Sequence, residues 1–164
     1  MISLLTKTDQ WLATIEKFLI IIFTGSLTII LMAQVILRYG FSRPLFWAEE
    51  ISVQLLVFLT IIGMSILIKE KRMIAIDFVV ASFSLKVQKI IFILLQVLGV
   101  LVIGFFAYQS TLWILRPEVW LEMSPTTQLP VWINYAVLPL SLYGMSYHLI
   151  VGCISSVFYF NRGS

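Results

Sequence analysis

The sequence predicts an all-α integral membrane protein with four transmembrane helices, a short interfacial amphipathic helix and both termini in the cytoplasm. The first observation is composition: of 164 residues, 60% are hydrophobic and 12% are charged, whereas soluble domains carry roughly a quarter charged residues. The second is a mean hydropathy of +1.02. The third is that most charges fall between four long apolar stretches. No linker or repeat interrupts this pattern, so we expect a single membrane domain over residues 1–164.

Each of the four apolar stretches is long enough to cross a bilayer. A hydrocarbon core of about 30 Å needs roughly 17 to 25 residues of helix at ~1.5 Å per residue. We predict spans at about 18–37, 51–68, 90–115 and 131–160. The last two exceed the minimum, so tilt or a kink at Pro139 must absorb the extra length.

The orientation of the spans follows from lysine and arginine, which favour cytoplasmic loops. The first span should remain in the mature protein, because its apolar run exceeds the roughly 7–15 residues of a signal-peptide core and no small-residue cleavage site follows. With four spans, 8 basic residues share a side with both termini and 3 lie opposite. The predicted cytoplasmic set is Lys7, Lys17, Lys69, Lys71, Arg72, Lys86, Lys89 and Arg162.

Residues 73–85 are apolar but too few to cross the membrane. Small or polar residues recur there at helical spacing, and they are Asp77, Ala81, Ser84 and Gln88. This pattern predicts an amphipathic helix lying along the cytoplasmic membrane surface. The alternative is that these residues simply begin the third span.

The segment 116–130 is rich in proline and should be an ordered external loop. It includes Pro125 and Pro130, and Ser124 directly precedes Pro125. Three tryptophans lie in or beside it, at Trp113, Trp120 and Trp132. Because tryptophan is enriched at membrane interfaces, we expect these rings at headgroup depth.

The second span begins with two adjacent acids, Glu49 and Glu50, beside Trp47. A helix N-terminus favours a carboxylate by about 0.3–1 kcal/mol, which accounts for one of them. Adjacent helical side chains point in different directions, so only one acid can face inward. Its partner is either Arg38 or Arg43, which would join the first two spans, or a basic group on another protein.

The fourth span carries small and weakly polar residues at steps of three and four. They are Ser141, Gly144, His148, Gly152 and Ser155. The second span has a shorter set of the same kind, consisting of Ser52, Thr60 and Gly63. Such faces let helix backbones approach closely and hydrogen-bond, so both are interpreted as helix-packing faces.

We predict no catalytic, substrate-binding or metal-ligating residue, no cofactor and no contact with nucleic acid. One histidine and one cysteine exclude a His pair or a Cys-built metal site within the chain. His148 could ligate a haem or relay protons, but a polar residue inside a membrane more often hydrogen-bonds a neighbouring helix. The alternatives that stay open are a haem-binding anchor of a respiratory complex and a small self-assembling transporter. The second alternative would use Glu49 or Glu50 as its pathway acid, because the spans hold no acid in their middle.

Two blocks resemble a known family. The stretch "ILRYGFSRPLFWAEEISVQLLVFLTIIGMSILIKEKRMIAIDFV" is similar to the signature of the small membrane subunit (DctQ-like, or Q subunit) of tripartite ATP-independent periplasmic (TRAP) transporters. Its matching residues are Arg38, Tyr39, Phe41, Pro44, Trp47, Glu49, Glu50 and Gly63. The stretch "SPTTQLPVWINYAVLPLSLYGM" resembles the family's second block. There the matching residues are Ser124, Pro125, Pro130, Trp132, Tyr135 and Pro139.

The resemblance implies a scaffold subunit in the bacterial inner membrane. In such sodium-coupled systems a periplasmic binding protein captures an organic acid, such as sialic acid or a C4-dicarboxylate. A large membrane subunit (M-type) of about a dozen spans transports it by an elevator motion, and the small subunit widens the stationary wall. The residues expected to serve structure or the partner interface are Arg38, Arg43, Trp47, Glu49, Glu50, Gly63, Asp77, Ser124, Pro125, Pro130, Trp132 and Pro139.

Overall fold

A computed structural model describes residues 2–70 and 84–162, and the part of the chain that it describes is all-α. Its helices are α1 (Ile2–Gly40), α2 (Phe46–Lys69), α3 (Leu85–Ile114), α4 (Pro117–Leu121) and α5 (Trp132–Arg162). Four of them, α1, α2, α3 and α5, are long and apolar enough to cross a membrane. The predicted fold class and span count are therefore confirmed.

Helix α1 begins far earlier than the predicted span at 18–37. It contains 39 residues, which corresponds to about 58 Å at ~1.5 Å per residue, roughly twice the hydrocarbon thickness. Residues 2–17 include charges but no proline or glycine, so nothing in the local sequence stops the helix. The length of an apolar stretch locates the part of a helix that crosses the membrane, but it does not predict a polar extension of that helix.

Helices α1 and α2 are joined by a short connection. Residues 41–45 include Ser42, which has φ of 54°, and Pro44, after which the helix can start again. Leu45 is extended and precedes the first turn of α2, where Glu49 lies. The tight connection makes the two helices antiparallel neighbours.

Helix α5 runs from Trp132 to Arg162 without interruption, and Pro139 lies inside it. Proline removes one backbone donor and crowds the preceding turn. Such a residue is tolerated in membrane helices because neighbouring groups can satisfy the freed carbonyl. The apolar part suited to spanning is Trp132–Ser156.

The helices pack side by side, antiparallel in the pairs α1–α2 and α3–α5 and parallel in the pair α2–α5. Helix α3 lies mainly against α5, α2 lies against both α1 and α5, and α1 touches α5 at one end. The most buried residues are small, namely Ala48, Ser65 and Ala107, each with 0% relative exposure. Small side chains let the backbones approach, which is how membrane helices gain packing energy.

The predicted interfacial helix at 73–85 falls almost entirely outside the described residues, and so does Asp77. Ser84 is extended and precedes α3, whose first residue is Leu85. The third helix thus begins before the predicted span at 90–115, while its spanning part is Ile90–Ile114.

Candidate functional site at the two ends of the helical bundle

Polar side chains gather at two ends of the bundle. One of them, which we name the motif end, holds Arg38, Glu49, Glu50 and the loop before α5. There Glu49 of α2 faces α1, accepting a hydrogen bond from Gln34 Nε2 at 3.1 Å. Arg38 Nη1 lies 3.8 Å from Glu49 Oε1, and both side chains are more than half exposed. This contact joins the first two spans, but solvent weakens it.

Glu50 points in another direction and holds the loop between α3 and α5. Its Oε2 accepts hydrogen bonds from the backbone amide of Thr126 at 3.1 Å and from the Thr126 hydroxyl. Its Oε1 accepts one from the Thr127 hydroxyl at 2.9 Å. Gln54, one turn later in α2, lies 3.4 Å from the same oxygen. Glu50 therefore fixes the loop to α2.

The loop itself is closed by backbone hydrogen bonds. The Ser124 amide donates to Leu129 at 2.9 Å, and the Val131 amide donates to Glu122 at 3.0 Å. Met123 and Pro130 form an isolated antiparallel bridge. Gln128 has φ of 55° at the turn, and Ser124 is buried at 2% exposure. Pro125 and Pro130 thus flank a compact, hydrogen-bonded turn.

Aromatic rings surround the base of this loop. Trp120 of α4 stacks on Trp132 of α5, with ring centroids 4.6 Å apart and an interplanar angle of 20°. Trp113 packs against Tyr135 at 4.7 Å. The Trp120 ring nitrogen donates to the carbonyl of Ile114 at 2.9 Å. The stacked rings fix the angle at which α3 and α5 leave the loop.

Other motif residues face outward from the chain. Trp47 is 44% exposed, and Arg43 is also exposed. Gly63 and Thr60, predicted as part of a packing face of α2, lie away from the neighbouring described helices. A Cβ built on Gly63 has no atom within 4 Å, and Thr60 is exposed, because both lie on the outer face of α2. Of the predicted set, Ser52 alone is buried, at 7% exposure.

A second group of polar residues, which we name the polar cluster, lies at the opposite end and is buried. It comprises Asp9, Glu16, Ser65, Lys69 and His148. His148 Nδ1 lies 2.5 Å from Asp9 Oδ1, and its Nε2 lies 3.2 Å from Glu16 Oε2. Ser65 donates to Glu16 Oε1 at 2.7 Å. Lys69 Nζ lies 3.2 Å from Asp9 Oδ2 and also donates to the Asp9 carbonyl.

The polar cluster joins three helices, since its members come from α1, α2 and α5. Its distance from the motif end follows from α2, where Glu49 and Lys69 are 20 residues apart (69 − 49). That separation is about 30 Å, the thickness of the hydrocarbon core. Beside it, Lys17 and Glu70 form an outer ion pair at 2.6 Å. The cluster thus lies near one edge of the membrane-spanning region.

The small-residue face of α5 turns toward this cluster. A Cβ built on Gly144 would lie 3.1 Å from Glu16 Oε1, so glycine lets α1 approach α5 here without displacing Glu16. A Cβ built on Gly152 would lie 3.1 Å from Gln96 Nε2, so α5 and α3 approach closely at this position. Ser141 is buried at 8% exposure, and Ser155 lines a cavity beside His148. The face therefore meets different helices at different heights.

Sequence reasoning missed Asp9, Glu16, Ser65 and Lys69 as members of a site. The predicted first span begins at residue 18, so the polar stretch before it carries no structural prediction. One available signal was the seven-residue interval between Asp9 and Glu16 (16 − 9), which puts both acids on one face of a helix two turns apart. The cluster itself shows that His148 hydrogen-bonds a neighbouring helix.

The chemistry open to these groups is limited by their contacts. Both ring nitrogens of His148 face carboxylates, so neither is available to a haem iron in this arrangement. Among the residues that the structure describes, no set of three or more His, Cys, Asp or Glu side chains is arranged to hold a metal ion. The arrangement supports helix association and proton binding.

Comparison with known proteins agrees with this architecture. Residues 27–158 match the family described as "Tripartite ATP-independent periplasmic transporters, DctQ component". The chain is 30% identical over 88 residues to a C4-dicarboxylate TRAP transporter small permease protein DctQ from Vibrio cholerae, covering 54% of this chain and 38% of that protein. It is 31% identical over 85 residues to a sialic acid TRAP transporter permease protein SiaT from Haemophilus influenzae, covering 52% of this chain and 13% of that protein.

The aligned parts thus span well under half the length of these two relatives. The family match, in contrast, covers most of the chain and includes both motif blocks and the whole of α2 and α3. Four helices able to span a membrane fit a multi-pass membrane component of a transporter. The chain belongs to the DctQ family of tripartite ATP-independent periplasmic transporter components.

Proposed function

We propose that this chain is the small scaffold subunit of a sodium-coupled, binding-protein-dependent TRAP transporter that imports carboxylate substrates. The observation that carries the proposal is the family match over residues 27–158. The names of the two relatives support sialic acid or a C4-dicarboxylate as the substrate. The chain itself catalyses no reaction in this proposal.

The internal contacts support a static role. The polar cluster ties α1, α2 and α5 together near one membrane edge, and Glu49 and Glu50 tie α1 and the loop to α2 near the other. A bundle joined at both ends resists sliding of its helices. Elevator transport needs a wall that stays still while a mobile domain crosses the membrane, and such a bundle suits that purpose.

The outer faces supply the surface for partner and lipid. Large apolar residues are exposed along α1 and α3, and Gly63 opens onto the outside of α2. We propose that the large membrane subunit covers part of this surface and that lipid covers the rest. Arg38, Arg43 and Trp47 would order or dock the adjoining edge, and the periplasmic binding protein would reach the chain only through the complex.

The proposed location is the bacterial inner membrane, with both termini in the cytoplasm. Four spans place the two ends of the chain on the same side, and the excess of lysine and arginine favours the cytoplasm for that side. The polar cluster would then lie at the cytoplasmic edge, and Glu49 and Glu50 at the periplasmic edge.

Mass spectrometry of what co-purifies with the chain tests this function. The chain carries a C-terminal tag and is extracted from native membranes in a mild detergent. We expect a stoichiometric, very hydrophobic partner with many spans. A haem-bearing partner, or the chain alone as an oligomer, would contradict the proposal and support one of the two alternatives.

Reconstitution then tests substrate and coupling. This chain and the co-purified large membrane subunit are placed in liposomes with the periplasmic binding protein. Uptake of radiolabelled sialic acid and succinate is then measured with and without a sodium gradient. We expect uptake of one acid only when the gradient is present. Uptake that is unchanged when this chain is omitted would contradict a required scaffold role.

A further inference from the structure

The polar cluster has a donor pattern that a scaffold role does not require. Each of the four carboxylate oxygens of Asp9 and Glu16 faces a different donor. His148 Nδ1 lies 2.5 Å from one Asp9 oxygen, and Lys69 Nζ lies 3.2 Å from the other. His148 Nε2 lies 3.2 Å from one Glu16 oxygen, and the Ser65 hydroxyl lies 2.7 Å from the other. With both acids ionised, the pattern is complete only when both ring nitrogens carry a proton.

A neutral imidazole would break this pattern. It offers one donor and one acceptor, so one ring nitrogen would turn a lone pair toward a carboxylate oxygen. The His148 side chain is 0% exposed, while those of Asp9 and Glu16 are 13% and 9% exposed. Because the His148 ring is shielded from bulk solvent, an unmade hydrogen bond between it and a buried carboxylate is costly.

The net charge of the cluster also favours a doubly protonated His148 ring. The charged groups that face His148 are Asp9 and Glu16 from α1 and Lys69 from α2. Helix α3 contributes the uncharged Gln96 to the adjoining cavity. Two carboxylates against one ammonium leave a net charge of minus one, and an imidazolium brings the sum to zero. A cluster with a net charge of zero has the smallest desolvation cost in surroundings of low polarity.

A route for protons lies beside the cluster. A partly open cavity of about 170 Å³ is lined by Thr6, Asp9, Lys69, Gln96 and His148 together with five further residues. It is large enough to hold water. Gln96 Oε1 is buried and has no hydrogen-bond partner among the described residues, which suits a site where water completes the bonding. Water there would lie beside Asp9, whose side chain is 13% exposed.

We propose that Asp9, Glu16 and His148 form a proton-binding site that holds one proton more than a neutral histidine between two carboxylates. The proton exchanges with water in the adjoining cavity. Its presence holds the N-terminal part of α1 against α5, so binding of the proton and docking of that segment are linked.

The chain contains a single histidine, which makes the proton directly observable. The full chain, labelled with ¹⁵N in its histidine ring, is placed in lipid nanodiscs, and the ring nitrogens are recorded by NMR at pH 7.5. We expect two protonated nitrogens with similar shifts, as in an imidazolium. The widely separated shifts of a neutral ring at this pH would overturn the proposal.

The double variant Asp9→Asn with Glu16→Gln tests the role of the carboxylates. We expect its ring to show the separated shifts of a neutral imidazole at pH 7.5. The control variant Glu118→Gln removes an exposed acid from α4 and should keep the imidazolium spectrum. An imidazolium that persists in the folded double variant would overturn the proposal. If that variant does not fold, the wild-type spectrum still decides, and neither result depends on the partner subunit.

Discussion

The two ends of the bundle hold their helices by different means. At the motif end, Arg38 and Glu49 meet at 3.8 Å with more than half of each side chain exposed, and Glu50 holds a surface loop. At the other end, the polar cluster is almost wholly buried and every carboxylate oxygen has a donor. Exposed pairs contribute little to stability, whereas the loss of one member of a buried ionic network is strongly destabilising because it leaves a buried charge without its partner.

Replacing His148 should have the largest effect. His148→Leu leaves Asp9 and Glu16 buried and facing each other, and removing one partner from a buried ionic network costs about 3–5 kcal/mol. We expect the steepest loss of stability of all the changes considered, measured by denaturant titration in mixed micelles.

The matched control for that variant is Ile150→Leu, two positions later on the same helix and 42% exposed. It should leave the unfolding transition unchanged. A loss of stability in His148→Leu no greater than in the control would show that the buried network contributes nothing, and the contrast between the two ends would disappear.

A methyl group at Gly144 should have the second largest effect. The new Cβ would lie 3.1 Å from Glu16 Oε1 and 3.7 Å from Ser65 Oγ, so the Glu16 carboxylate must shift by a few tenths of an ångström and its hydrogen bonds to Ser65 and His148 are strained. Overpacking of this kind costs about 1–3 kcal/mol, visible as a lower unfolding midpoint. Gly63→Ala serves as the control, because it meets open space and should raise stability by up to about 1 kcal/mol through helix propensity. Equal effects at the two glycines would refute the close approach of α1 to α5.

The two acids at the start of α2 should respond differently. Glu50→Gln weakens acceptance from Thr126 and Thr127, so hydrogen exchange at the Thr126 amide should become faster. Glu49→Gln should leave that amide unchanged, because Glu49 faces Gln34 and Arg38 instead. Exchange measured by mass spectrometry on peptides covering the loop distinguishes them. The same response in both variants would mean that Glu50 does not hold the loop.

The smallest effect is expected at Arg38. Arg38→Gln removes an exposed contact that is worth about 0–1 kcal/mol and is screened by salt. The unfolding midpoint should shift slightly at low salt and not at all at high salt. A large, salt-independent loss would show that the motif end is as strongly coupled as the buried end.

The extent to which sequence predicted these two ends follows from how far apart in the chain the partners lie. Hydropathy is a local property, so the four spans could be located, and Arg38 and Glu49 lie within one contiguous motif. Glu50 and Thr126 are 76 residues apart, and only the tertiary arrangement brings the loop to α2. The polar cluster was missed for the same reason, and because the polar start of α1 carries no hydropathy signal that extends the helix.

Helix α5 also imposes an order of events during synthesis. Asp9 and His148 are separated by 139 residues, and Glu16 and His148 by 132. At about 5–20 residues per second, these partners emerge roughly seven to thirty seconds apart. Lys69 and Ser65 can reach the acids once α2 has been inserted, but one negative charge stays uncompensated until the last helix arrives. With His148 protonated as proposed, the nascent chain therefore holds an uncompensated carboxylate near the membrane edge until α5 is inserted.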